Sequence, residues 1–162
     1  MSWDPLVSCS SWHGVTTVVM GNCGVGVAPV DPAQREILMW DLVNVEAIPF
    51  EVMAQGIDWQ WETHPEYLDA LATRGMGVNV ASVAALTPIR HYVMGEASFE
   101  RAATPDEIDE MKALVADGLQ AGAIGFSTST FEGHNGADGV PMPSRLADQD
   151  EIRALVATLG ER

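Results

Sequence analysis
Residues 15–20, Val-Thr-Thr-Val-Val-Met, form an unbroken β-branched and apolar run that stops at Gly21-Asn22-Cys23-Gly24. A short apolar run closed by glycines predicts a strand buried on both faces, since a half-wet strand would alternate apolar and polar residues. Residues 78–84 (Val-Asn-Val-Ala-Ser-Val-Ala) and 123–127 (Ala-Ile-Gly-Phe-Ser) are two further strand candidates. Helical signals lie between them. Thr63 with Pro65 and Glu66 predicts a capped helix start, and Gly75 a stop. Thr104-Pro105-Asp106-Glu107 is a stronger start, with Ile108, Met111, Leu114, Val115 and Leu119 at helical spacing behind it and Gly122 as the stop. Asp148 opens a last helix with Glu151 three residues on, its apolar positions being Ile152, Leu155, Val156 and Leu159. Asp31 to Leu42 reads as another helix. Strands alternating with helices predict parallel β/α units. Pattern alone does not separate a barrel wall from an open doubly wound sheet.

Composition narrows the partners. The 162 residues suffice for one compact domain, 1–162, and 47% hydrophobic against 19% charged residues reads as globular. The net charge of −15, from 8 basic and 23 acidic residues, would repel phosphate backbones and anionic membrane surfaces. No apolar run reaches the roughly 18 to 20 residues that span a bilayer. Met1-Ser2-Trp3-Asp4-Pro5 lacks a basic leader pattern, so a cytoplasmic location is expected. The two cysteines, Cys9 and Cys23, give no disulfide framework.

Few residues carry an obvious chemistry. Cys23 follows a buried strand inside a glycine turn, where backbone can approach a ligand; its thiolate could ligate zinc or act as a nucleophile, or its thiol could simply fill a gap. The histidines are His13, His64, His91 and His134, and none forms an H-x-H or H-E-x-x-H pair. His13 is expected to be a structural hydrogen-bonding residue and His64 a surface residue at a helix start, while His91 is open. His134 lies in the Gly/Ser/Pro/Asn-rich stretch 128–147, with Glu132 and Asp138 nearby, and is the best of the four histidines for a site, although a solvated loop residue is the plainer reading of it. That stretch follows a strand, where β/α folds place their chemistry. Gly21-x-x-Gly24-x-Gly26 has the wrong order for a dinucleotide fingerprint, and the only lysine, Lys112, sits on a predicted helix. Trp59-Gln60-Trp61 could line a pocket, pack a core or meet another subunit.

Three stretches together resemble one family: Ser11 through Gly24 (Ser-Trp-His-Gly-Val-Thr-Thr-Val-Val-Met-Gly-Asn-Cys-Gly), Trp59-x-Trp61-Glu62-Thr63 with Pro65-Glu66-Tyr67-Leu68, and Gly125-Phe126-Ser127-Thr128. Tyr92-Val93-Met94-Gly95, Arg101-Ala102-Ala103-Thr104-Pro105 and Pro143-Ser144-Arg145-Leu146-Ala147 add to the match. The pattern is similar to the N-acyl-D-amino-acid deacylase (D-aminoacylase) branch of the amidohydrolases. That resemblance implies an α/β fold, a partial (β/α) TIM-like barrel of the metal-dependent hydrolase type lacking N- and C-terminal segments. It also implies hydrolysis of the amide bond of an N-acyl-D-amino acid, with zinc polarising the amide and activating water. Cys23 inherits the role of zinc ligand, and Phe131 and His134 fall where substrate-facing residues of the family occur.

The departures are equally specific. The family's H-x-H pair belongs upstream of Trp3-Asp4-Pro5, and its further histidine ligands and catalytic aspartate downstream of Arg162. Gly-His, usual in the family, is replaced near Ala84-Ala85-Leu86. Zinc needs about three or four protein ligands, and a whole barrel roughly 200 residues or more. A part-barrel exposes strand edges and an apolar inner face, so self-association or a complementary chain is expected. Alternatives are a non-catalytic oligomerising or small-ligand-binding module, and a thiol enzyme pairing Cys23 with His134.

Overall fold
A computed structural model describes residues 4–136 and 139–160. Asp138 and Trp3, named above, lie outside the described residues. In chain order the elements are α1 (Ser8–Ser11), β1 (Thr17–Met20), a 3-10 turn (Pro32–Gln34) running into α2 (Arg35–Glu46), α3 (Phe50–Gly56), α4 (His64–Arg74), β2 (Asn79–Ser82), β3 (Ala84–Ala85), α5 (Leu86–Met94), α6 (Pro105–Ala121), β4 (Phe126–Ser127) and α7 (Gln149–Ala157).

All strand pairs are parallel, as β/α alternation requires. β1 pairs with β2 in register Thr17↔Asn79 to Met20↔Ser82, and β3 pairs with β4, Ala84 opposite Phe126. The predicted strand 78–84 is therefore two short strands broken at Val83, each held by a different neighbour. Ile124 donates its amide to the Ser82 carbonyl at 2.9 Å, and Ala84 donates to Gly125 at 2.8 Å, so the pairing extends beyond β4 itself. β1 departs from expectation in its burial. Thr17 and Val19 are exposed while Val18 and Met20 are half-buried, so only one face is covered. The covered face meets α4, where the Tyr67 hydroxyl donates to Met20 Sδ at 3.9 Å.

The helix ends follow their sequence signals. Thr63 Oγ1 accepts from the Glu66 amide, and the Glu66 carboxylate accepts from Thr63 N–H, which closes a capping box. Thr104 and Glu107 do the same for α6, and Gly122 ends it at φ 119°. Asp148 caps α7 through the amides of Asp150 and Glu151. Glu151 does not reach back to the cap. Its side chain is fully buried and takes Arg90 Nη1 on both oxygens at 2.5 Å. The Ala103 amide also donates to it at 3.3 Å, and Arg90 Nη2 donates to the Arg101 carbonyl at 2.6 Å. The principal core sits beside this pair, between β3, α5, α6 and α7, around Leu86, Ile89, Met111, Val115, Leu119 and Leu155. Val156, expected on the apolar face of α7, is 47% exposed.

Candidate functional site
The turn after β1 is built by glycine and by two neighbouring segments. Gly21 and Gly24 adopt φ +90° and +75°, conformations that side-chain-bearing residues rarely take. A Cβ on Gly24 would lie 2.7 Å from the Thr128 Cα, so only glycine allows the two backbones to approach this closely. The Ser127 hydroxyl donates to the Gly21 carbonyl, and the Thr87 amide to the Gly24 carbonyl at 2.9 Å. Three strand ends thus converge: the Cys23 turn after β1, the start of α5 after β3, and the loop after β4.

Cys23 is half-buried and its Sγ donates to Glu46 Oε1, at the end of α2, across 3.5 Å. Burial pushes the thiol pKa up, and both the hydrogen bond to Glu46 and its negative charge add to that effect. The group is therefore a protonated thiol at neutral pH, not an activated thiolate. A cavity of about 390 Å³ opens beside it, with Glu46, His64, Tyr67, Met20 and Val27 among its walls.

His64 corrects its expected surface position. It is 5% exposed, and neither ring nitrogen has a hydrogen-bond partner among the described residues. Its ring lies 3.5 Å from where a Cβ on Gly118 of α6 would sit, so the helix crossing α4 there seals it in. Desolvation lowers its pKa, and the Ala28 backbone, short of a proper hydrogen bond, pulls weakly the other way. Tyr67 is pushed up to about 12 by burial alone.

The remaining histidines divide differently from expectation. His13, expected to be a structural hydrogen-bonding residue, is exposed. His91 is buried, with Nε2 3.0 Å from Asp41 Oδ2 and Nδ1 3.1 Å from Ser98 Oγ. Ser98 also donates to the Gly95 carbonyl at 2.6 Å, and all three side chains are sealed from solvent, so this Ser-His-Asp row braces α2 against α5. Sequence inspection missed it because the three residues are far apart in the chain, and only the fold joins them.

In the loop after β4, Phe131 is 66% exposed and its ring meets that of His134 edge-on at 5.2 Å. Arg145 braces the loop by donating to the His134 carbonyl and to Asn135 Oδ1. The Cys23 thiol is bonded to Glu46 and no Cys23–His134 hydrogen bond occurs among the described residues, which removes the geometry a thiol enzyme would need. Nor do any three His, Cys, Asp or Glu side chains among the described residues form a group able to hold a metal ion. Cys23 and Glu46 fit a share of a donor set and not a complete one.

No family model matches the chain. It is 37% identical over 119 residues to a D-aminoacylase of Alcaligenes xylosoxydans xylosoxydans, an alignment covering 74% of this chain and 22% of that relative. A solved D-aminoacylase, studied for its binuclear metal centre, superposes with a TM-score of 0.67 and 30% identity over 98% of this chain and 28% of its own. The N-acyl-D-glutamate deacylase of Bordetella bronchiseptica, solved with zinc and a phosphonate inhibitor, gives a TM-score of 0.65 at 26% identity over the same shares. The chain thus spans about a quarter of the length of the proteins it matches.

Proposed function
The chain belongs to the N-acyl-D-amino-acid deacylase (D-aminoacylase) family of amidohydrolases, and from that premise we propose that it forms part of the wall of a (β/α) barrel which contributes Cys23 to a hydrolytic zinc centre. Residues 1–162 form one domain in this reading. The observation that carries it is the placement of Cys23. Its sulfur stands at the C-terminal end of a parallel strand, in a turn whose glycines exist to bring strand ends together, and it opens on a cavity. β/α folds hold their chemistry at that end of the sheet.

A metal bound there supplies Lewis-acid polarisation of an amide carbonyl and activation of water. This chain's own contribution is narrower. Glu46 accepts the thiol proton's hydrogen bond and would have to release it when sulfur binds metal, since a ligating thiol is deprotonated. Phe131 and His134, on the loop that the Gly24–Thr128 contact ties to the Cys23 turn, would face an N-acyl-D-amino acid. No helix among the described residues is long and apolar enough to cross a membrane, and a cytoplasmic location is consistent with that. The exposed face of β1 and the strand edges support self-association or pairing with a complementary chain.

Equilibrium dialysis against zinc tests the ligand assignment. The wild-type chain should retain zinc weakly, and Cys23→Ala should retain at least about tenfold less at the same free zinc, a loss of roughly 1.4 kcal/mol or more. Equal zinc content in the two proteins would remove Cys23 from the ligand set.

A further inference from the structure
A second cavity, of about 460 Å³, adjoins the one beside Cys23. The two share the walls made by Met20, Val27, Leu42, Ile48 and Tyr67, none of which presents a charge. The Tyr67 hydroxyl in that shared wall is taken up by Met20 Sδ, and the charged side chains belong to one cavity or the other. Asp58, Gln60 and Arg74 border the second cavity alone, whereas Cys23, Glu46 and His64 border the first alone. The second cavity adds Met53, Ile57 and Leu71, flexible or aliphatic groups that suit an unbranched chain. The first cavity's lining holds an unmet demand. His64, 95% buried, has neither ring nitrogen paired among the described residues, and a buried polar group in that state calls for a partner that the folded chain does not supply.

We propose that the joined cavities form a binding site for a medium-length straight-chain acyl amide, its alkyl tail lying between α2, α3 and α4 and its amide at the Cys23–Glu46–His64 end. An amide suits that end better than a carboxylate. Its carbonyl accepts from an imidazole N–H and its N–H donates to a carboxylate, whereas a second anion would face Glu46. The inference rests on the reading above, because it turns the cavity into the place where the acyl part of an N-acyl substrate lies. It adds that chain length, not only the amino-acid part, is recognised, and that α2, α3 and α4 perform that recognition.

The probe is octanamide, with acetamide and octanoate as comparisons, added to the full chain carrying 13C-labelled methionine methyls. Resonances of Met20 and Met53, assigned by single Met→Leu substitutions, should shift saturably with octanamide while the other six of the eight methionines do not. Octanamide should bind at least about tenfold more tightly than acetamide, because each buried methylene adds to the transfer free energy. Octanoate should bind more weakly than octanamide. Ala70→Phe, which fills the cavity from α4, should abolish the shifts, and His64→Phe should weaken binding several-fold with the circular dichroism spectrum unchanged. Shifts spread over all the methionines, no saturable shift at all, or unaltered binding by a folded Ala70→Phe protein would overturn the proposal. If that variant does not fold, the wild-type methionine pattern still decides. Octanamide binding is read from the wild-type methionine resonances without zinc, and zinc retention by dialysis without octanamide, so either can fail while the other stands.

Discussion

At the scale of single residues, burial decides what the titratable groups do. His64 was legible as the first residue of a helix, and that position suggested solvent. What the sequence could not show was that α6 presents Gly118 against it, closing off the ring with no side chain in the way. Desolvation lowers the folded pKa of His64 below its ordinary 6.5, so the folded state takes up this proton less readily than the unfolded chain. The contribution is fully present above about pH 6.5 and is lost as the pH falls toward the depressed folded value. Thermal unfolding followed from pH 7.5 to 5.5 should therefore show a steeper fall in Tm for the wild type than for His64→Phe. Parallel curves would show that His64 is not the buried neutral group described. Cys23 is the opposite case. Its glycine setting was visible in the sequence, but the thiol's partnership with Glu46, 23 residues away, was not. That partnership makes the resting side chain a hydrogen-bond donor.

At the scale of elements, the three helices with chemical caps were readable, and α3 and α5 were not. α4, α6 and α7 all begin where threonine or aspartate sits ahead of an acidic residue, as local amide capping demands. α3 and α5 begin with no side-chain cap at all. α5 also carries Pro88, Arg90 and His91 on buried faces, a pattern that hides a core helix from any hydrophobic periodicity. Arg90 and His91 can be buried there because Glu151 and Asp41 meet them from α7 and α2. Removing one partner leaves the other charge buried, so Glu151→Ala should cost about 3–5 kcal/mol in urea unfolding. A loss below about 1 kcal/mol would mean the pair is not sealed from water. Thr104→Ala should cost only about 1 kcal/mol, the ordinary worth of an N-cap. The Arg101 guanidinium, with the Thr104 amide, also holds Glu107 down at about 2. Stability from this carboxylate is present above about pH 4.5 and is lost as pH falls toward 2, well below the window in which His64 acts.

At the scale of the whole molecule, β/α alternation was legible, and the extent of burial was not. The run at 15–20 reads as a strand covered twice, yet Val19 is 44% exposed because helices cover only one side of it among the described residues. β1 and β4 each pair with one neighbour, which leaves each an outer edge with no strand against it among the described residues. Such edges recruit other strands. Sedimentation velocity should show the 17.4 kDa chain associating as its concentration rises, and Val19→Lys should reduce that association without changing the far-ultraviolet spectrum. A wild-type chain that stays monomeric throughout would show that the edges are protected. Among the described residues the chain brings one sulfur, that of Cys23, to the converging strand ends, and no three His, Cys, Asp or Glu side chains group to hold a metal. The most direct measurement is therefore the absorption spectrum of the chain titrated with cobalt(II) as a stand-in for zinc. A sulfur-to-metal charge-transfer band that grows with cobalt in the wild type and is missing from Cys23→Ser would show the sulfur bound to metal. The same spectrum from both proteins, with or without a band, would contradict it.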